Sequence, residues 1–482
     1  MAASFHFEHS IPFAPENSTE TLRSIPALPG VFALHGPRVE DEPYLTRAAD
    51  LRRRITRILA PPDSQSKRLN LRTRVARIDF TITGSEFESV LTLYHATVSI
   101  FSQTEARRRL RLHTPFFLRF TTENAYPRVY STNRLSSRAL AHTFGPFPSR
   151  AAADRYCDAV LDLFKLRRCA EDLAPYPEHP GCVYQEMNKC LAPCNQACTP
   201  AGASAYAAEA AAVEAFFSTH GGSLLAQLTA DREQASANLD FERAAQLHAQ
   251  FLRVKSAAAL ADPLVQPIPN LRAVIVQKAA QGTENREQGT EDSAAVFLLE
   301  SGCLTGPARL STLGIRAVKE QTSVGASLLA QPLMLQAAPL EAPSNQNAVI
   351  LSGDATPAGA HESPVPCSLF PVPSAPALSP ELRVANLIAS LEQQTSSAPD
   401  LATLSDHLSL LRRWYYRPEK QRSGEVFLPK AEGSFPKEQA ANITAWPIRR
   451  ILNAAARISL GDPKPAAEAQ PQPPQSPDEA VH

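Results

Sequence analysis

Four thiols gathered into one short stretch are the feature of this sequence best suited to chemistry. Cys182, Cys190 and Cys194 fall within CVYQEMNKCLAPC, and Cys169 lies just upstream. Thiolates bind zinc or iron–sulfur clusters, and four of them complete either a zinc tetrahedron or a cubane cluster. Zinc ribbons contribute paired CxxC knuckles, whereas the shortest gap here is CLAPC, which favours iron–sulfur over zinc. The alternative is a set of unrelated free cysteines, although free cysteine is usually scattered and buried rather than concentrated in a polar, proline-rich loop. Cys198 could compete as a ligand, while Cys157, Cys303 and Cys367 fit no spacing.

Positive charge forms a second concentration. From Arg47 to Arg77 ten Arg and Lys residues face only Asp50 and Asp63. Arg47, Arg52, Arg53 and Arg57 in this run suit the phosphates of DNA. The chain as a whole is neutral, with 48 Lys plus Arg and 48 Asp plus Glu, so nucleic-acid affinity has to come from such local patches. No apolar run reaches the roughly 18 residues needed to cross a bilayer, and MAASFHFEHSIPF lacks the basic-then-apolar pattern of a secretory signal. A cytoplasmic location without a membrane partner is expected. In that reducing compartment clustered cysteines hold a metal or do redox chemistry rather than form structural disulfides.

The elements that position these residues follow from periodicity. GVFAL (30–34) and PYLTR (43–47) read as strands. AADLRRRITRIL then puts Leu51, Ile55, Ile58 and Leu59 on one helical face and arginines on the rest. RVARIDFTIT reads as a strand, SEFESVLTLYHATVSIF as a helix, and PFFLRFTT with YPRVYST as a late hairpin. A helix capped by Ser149 leads into the cysteine loop. Residues 203–261 are Ala-rich and read as a helical pair broken at Gly221-Gly222. Further on, LRAVIVQ and AVFLLESGCLTG suggest two strands, and SPELRVANLIASLEQQ and LATLSDHLSLLRRWYYRP two helices. On the second of these Asp406 and His407 are expected to be exposed; Trp414, Tyr415 and Arg417 could stack bases or meet phosphates, but packing of the aromatics in a core is the expected use.

Taken with their neighbours, these residues resemble one family. PGCVYQEMNKCLAPC, preceded by FGPFPS and LRRC, looks like the cysteine region of UvrC, the nuclease subunit of the bacterial excision-repair complex. The resemblance implies that Cys169, Cys182, Cys190 and Cys194 ligate a chiefly structural 4Fe-4S cluster. NLDFERAAQLHAQFLRVKSAA (238–258) resembles the UVR motif, a helical hairpin that meets a like segment of UvrB. It implies a UvrB-like partner contacted by Leu239, Asp240, Phe241, Glu242, Ala244 and Ala245. His248-Ala249 stands where the family usually carries Arg-Asp, which removes two charged groups from that contact.

PGVFALHG and PYLTRAADLRRRI resemble the GIY-YIG nuclease core, whose chemistry uses a tyrosine, an arginine and a glutamate that binds a divalent metal, Mg or Mn. Tyr44 and Arg54 match as catalytic residues. Phe32 replaces the first tyrosine, Thr46 a glycine, Arg47 a lysine, and Leu93 the metal-binding glutamate. Glu86 and Glu88 match two early acids, and Glu88 could hold a metal instead. A second nuclease domain of RNase H type and helix-hairpin-helix DNA binders follow in the family, and their motifs are not found in this sequence.

The fold class expected is α/β multidomain. Its parts are a degenerate GIY-YIG-like domain (20–135), a cysteine-rich iron–sulfur module (144–200), a helical region with the UVR motif (203–261) and a small β-rich region (263–350). A linker (351–380), a helical α+β carboxy-terminal region (381–462) and a disordered tail (463–482) complete it. The function expected is a UvrC-like component of nucleotide excision repair, part of the DNA damage response, binding DNA and a UvrB-like partner with excinuclease activity lost or weakened. The alternatives are an active structure-selective, metal-dependent endonuclease and a redox-responsive iron–sulfur regulator of a repair complex.

Overall fold

A computed structural model describes residues 5–38, 40–61, 69–171, 173–196, 199–280, 293–312, 379–394, 400–429 and 446–460. The expected linker and tail lie almost wholly outside the described residues, as do Cys198 and Cys367. The chain divides into one unit of Met1–Ile315 with Pro380–His482 and a second of Arg316–Ser379, of which only Ser379 is described. The first unit has a multidomain α/β architecture built on three four-stranded antiparallel sheets.

The first sheet runs β1 (His9–Pro12), β4 (Arg77–Ile82), β2 (Gly30–His35), β3 (Tyr44–Ala48) in spatial order. Helix α1 (Ser18–Ser24) follows β1, α2 (Leu51–Leu59) follows β3, and α3 (Glu86–Ile100) and α4 (Gln103–Leu110) follow β4. The alternation read from the sequence holds, since Leu51, Ile55, Ile58 and Leu59 of α2 bury against Phe32, Leu34 and Ile78 of the sheet. Ser85 starts α3 by accepting from the Glu88 backbone N–H at 3.1 Å, which satisfies one of the donors left open at a helix start. The short β1, before the boundary expected at residue 20, carries no apolar run and gains its place only by pairing with β4.

The second sheet runs β6 (Val129–Thr132), β5 (Phe116–Phe120), β7 (Thr143–Phe147), β8 (Gln266–Pro267). The late hairpin β5–β6, expected inside the amino-terminal domain, pairs instead with β7. The sheet packs on α5 (Arg150–Leu161) and α7 (Pro200–Ser218) through Phe144, Phe147, Tyr156 and Phe217. Between them the short α6 (Val183–Glu186) lies in the cysteine loop. The expected helical pair is three helices: α7, then α8 (Gly222–Ala237) and α9 (Phe241–Ala258), which form the hairpin. Gly221, at φ +77°, makes the break before α8, where a side chain would be strained.

The third sheet runs β11 (Cys303–Ser311), β10 (Ser293–Glu300), β9 (Arg272–Lys278), β12 (Glu425–Phe427). Its central strands are apolar on both faces because both are covered. Ile275, Phe297 and Leu299 face α3 and α11 (Leu401–Tyr415), whereas Val274, Val276, Val296 and Leu298 face α10 (Pro380–Gln394) and α12 (Ile448–Leu460). Among the described residues no helix is long and apolar enough to cross a membrane.

Candidate functional site

Strand β3 and helix α2 bring together the two residues matched to catalysis. Asp50 caps α2 by accepting from the Arg53 N–H at 2.8 Å. The buried leucines and isoleucines of the helix then leave Arg53, Arg54 and Arg57 exposed. Arg54 Nη2 reaches to 3.5 Å of the Tyr44 hydroxyl. Phe32, in register with Thr46 on the neighbouring strand, is fully buried, its ring centroid 6.3 Å from that of Tyr44. Leu93 is half-buried on α3. Arg52 is exposed as well, and its Nε donates to the Ile25 carbonyl at 2.6 Å, which fastens α2 to the end of α1.

The two early acids of α3 are both engaged. The Glu86 carboxylate accepts from Arg417 at 2.6 Å and from Arg47 at 3.2 Å. The hydrogen bond from Arg417 and the second arginine hold it below the usual carboxylate range. Glu88 is buried, and its Oε2 accepts from the Gly84 N–H at 2.8 Å. Burial pushes its pKa up to about 7, so the acid expected to substitute as a metal ligand is instead turned into the protein. Nothing in the spacing ties Arg413 or Arg417 to Glu86, and the sequence offers Arg417 only as a phosphate contact beside Trp414 and Tyr415. The Arg412-Arg413 doublet beside Arg417 was the only local signal.

The cysteine loop requires a correction. Cys190 and Cys194 are buried, Cys169 and Cys182 are half-buried, and all four are free thiols. Among the described residues no three His, Cys, Asp or Glu side chains are grouped so as to hold a metal ion. The expected 4Fe-4S cluster at Cys169, Cys182, Cys190 and Cys194 therefore does not fit, nor does a divalent Mg or Mn site. The redox-regulator reading, which rested on the cluster, goes with it. The sulfurs have other partners: Arg167 Nη1 donates to Cys169 Sγ at 3.6 Å and the Ala192 N–H to Cys190 Sγ at 3.3 Å. Burial, aided by the neighbouring Cys182, Cys169 and Cys194, pushes the Cys190 thiol up to about 11 and so keeps it protonated.

At the α8–α9 tip Asp240 caps α9, its Oδ1 accepting from the Arg243 N–H at 3.0 Å. Leu239 and Phe241 stand 73% and 66% exposed, which is unusual for such side chains. Glu242 and Ala245 share the exposed side, Ala244 is half-buried, and Leu247 points inward to the core. The apolar residues of α9 thus divide between packing and an open tip. His248 stacks on Phe251 at 6.4 Å, with an Arg232 nitrogen 3.4 Å from its Nδ1.

Two family models match the chain: "UvrC/Cho excinuclease, middle domain" over residues 116–216 and "UvrB/uvrC motif" over residues 222–256. Among curated relatives, a UvrABC system protein C of Desulforudis audaxviator is 28% identical over 65% of this chain and 48% of its own length. That of Idiomarina loihiensis is 27% identical over 50% of this chain and 38% of its own length. That of Edwardsiella ictaluri is 29% identical over 48% and 37%. The chain therefore spans less than half the length of these relatives. No solved structure matches it. The first model begins at β5 and ends in α7, the second covers the α8–α9 hairpin, and the two follow one another on one chain, so these segments are similar to those of UvrC proteins.

Proposed function

We propose that the chain serves bacterial nucleotide excision repair as a UvrC-like component that binds DNA through the α2 face and a UvrB-like partner through the α8–α9 tip, with incision activity lost or severely weakened. The order β2, β3, α2, β4, α3 supports a GIY-YIG-like unit. The exposed Arg53, Arg54 and Arg57 supply a cationic face for backbone phosphates. The open Leu239 and Phe241 suit a partner helix laid on the hairpin.

One observation carries the loss of cutting. Tyr44 and Arg54 remain side by side, but the acids of α3 cannot serve them: Glu86 is held by two arginines, Glu88 is buried against Gly84, and Leu93 stands at the family's acidic position. Phosphodiester hydrolysis requires a group placed to move a proton and a charge to stabilise the leaving oxygen, within about 1 Å of the productive geometry. Lesion-bearing and bubble DNA incubated with the full chain and Mg²⁺ or Mn²⁺ tests this. The expected result is binding without incision. Robust cutting that disappears in Tyr44→Phe and Arg54→Ala would show an active endonuclease instead.

A further inference from the structure

Between the start of α3 and the end of α11 lies a pocket of ≈ 100 Å³ lined by Arg47, Glu86, Arg413, Trp414 and Arg417 together with apolar side chains. We propose that it seats one backbone phosphate of a nucleic acid, with the Glu86 carboxylate as the occupant that the phosphate displaces.

Charge points to an oxyanion. Two arginines meet a single carboxylate and a third lines the same pocket, so the pocket keeps an excess of positive charge with Glu86 ionised. Burial, with the neighbouring Arg412 and Arg417 adding to it, pushes Arg413 below its ordinary value. Geometry points the same way. Arg417 donates through both Nη1 and Nη2 to Glu86, at 2.6 and 3.2 Å, and Arg47 donates through both of its terminal nitrogens at 3.2 Å. Paired guanidinium forks on one oxyanion match phosphate as well as they match carboxylate. Arg413 contributes charge rather than donors, because its guanidinium is taken by the carbonyls of Leu110 and Arg111.

Access and an unmet donor complete the case. The side chains of Arg47, Glu86 and Arg417 are 41%, 44% and 34% exposed, so the mouth is open to a strand passing over it. Trp414, in the lining, is 4% exposed, and its Nε1 has no hydrogen-bond partner among the described residues. A buried indole N–H without an acceptor is uncommon. Arg47 lies on β3, three residues after Tyr44, and Arg417 just beyond α11, so the pocket joins the first sheet to the carboxy-terminal helix. Arg47 belongs to the cationic run of residues 47–77, in which Arg53, Arg54 and Arg57 are also exposed, and this favours a nucleic-acid strand over an acidic protein segment.

The assignment rests on the DNA-binding reading above, and the test separates the two. The full chain is titrated into a labelled oligonucleotide duplex at several salt concentrations, with thermal melting of each variant alongside. Arg417→Ala is expected to weaken binding roughly tenfold at low salt and to reduce the salt slope by about one. Arg417→Lys should be intermediate, since it keeps the charge and loses the fork. Glu86→Gln should tighten binding severalfold, a gain that a folding defect does not mimic.

Wild-type affinity in Arg417→Ala, with weakened binding in an Arg53→Ala, Arg57→Ala double variant, overturns the seat and leaves the α2 reading standing. No oligonucleotide binding by the unaltered chain overturns both. Inorganic phosphate is the second probe, compared with sulfate at equal ionic strength. Phosphate binding in preference to sulfate, lost in Arg417→Ala while oligonucleotide affinity in that variant is unchanged, assigns the pocket to free phosphate and overturns the nucleic-acid assignment; phosphate that displaces the oligonucleotide only when Arg417 is present supports it.

Discussion

Arg107 on α4 meets Asp406 on α11 at 2.6 Å across 299 positions of sequence, and the carboxylate is only 2% exposed. Tyr94 and Gln103 donate to the same group at 3.1 Å each. His407, next along, is also buried, its Nδ1 accepting from the Leu304 N–H at 3.1 Å. Both residues were expected on an exposed helix face. They instead connect the amino-terminal helices to the third sheet. Asp406→Ala leaves a guanidinium, a phenol and an amide without their acceptor and should cost about 3–5 kcal/mol, against about 1–3 kcal/mol for Asp406→Asn. Chemical denaturation of the two variants reads the difference; equal, small losses would show that the carboxylate does not hold the helices.

Glu88 should make stability fall with rising pH. Its pKa in the folded chain, about 7, lies above the ordinary 4.5, chiefly through burial and with Glu8 adding repulsion while Arg309 opposes it. Between those values the folded chain binds more protons than the unfolded one, so this contribution is complete below about pH 4.5 and is lost as pH passes 7. Glu88→Gln keeps an acceptor for Gly84 and removes the ionisation. It is expected to gain about 2 kcal/mol at pH 8 and little at pH 4.5. Melting curves at the two pH values check this, and an equal shift at both would refute the coupling.

Gly84 is the point at which the β4–α3 turn touches the end of β9. A methyl group there would overlap backbone atoms of Lys278, Ala279 and Ala280, none of which can yield by rotating a side chain. Gly84→Ala should therefore cost about 2–3 kcal/mol. Gly222, whose nearest neighbour is the Thr219 side chain at 3.7 Å, should accept Ala with a change within about 0.5 kcal/mol. Denaturation midpoints measured in parallel distinguish a specific close approach from a general intolerance of alanine.

The hairpin tip should separate stability from binding. Phe241 is 66% exposed, so Phe241→Ala is expected to change stability by less than about 0.5 kcal/mol. It should nonetheless weaken capture of the matching helical segment of a UvrB-like protein by tenfold or more, since an exposed aromatic anchor acts mainly through its partner. Calorimetric titration with that segment measures the loss. Undiminished binding would move the partner site away from the tip.

What could be read from the residues alone was local. Leucines and isoleucines at helical spacing fixed α2 and the side on which Arg53, Arg54 and Arg57 emerge. Ser149 marked a helix start that the backbone confirms. The motif at 238–258 located the hairpin that the family model covers. Each signal acts within a turn or two of chain, where spacing and side-chain chemistry suffice.

Tertiary structure decided the rest. It moved β5–β6 into the second sheet, buried Asp406 and His407, and set two distant arginines on Glu86. It also gave Cys169 and Cys190 of the cysteine loop hydrogen-bond donors from the protein, and among the described residues it groups no side chains as metal ligands. Pairings between residues hundreds of positions apart leave no period in the sequence. Burial and opposite charge select them only once the sheets and helices have packed.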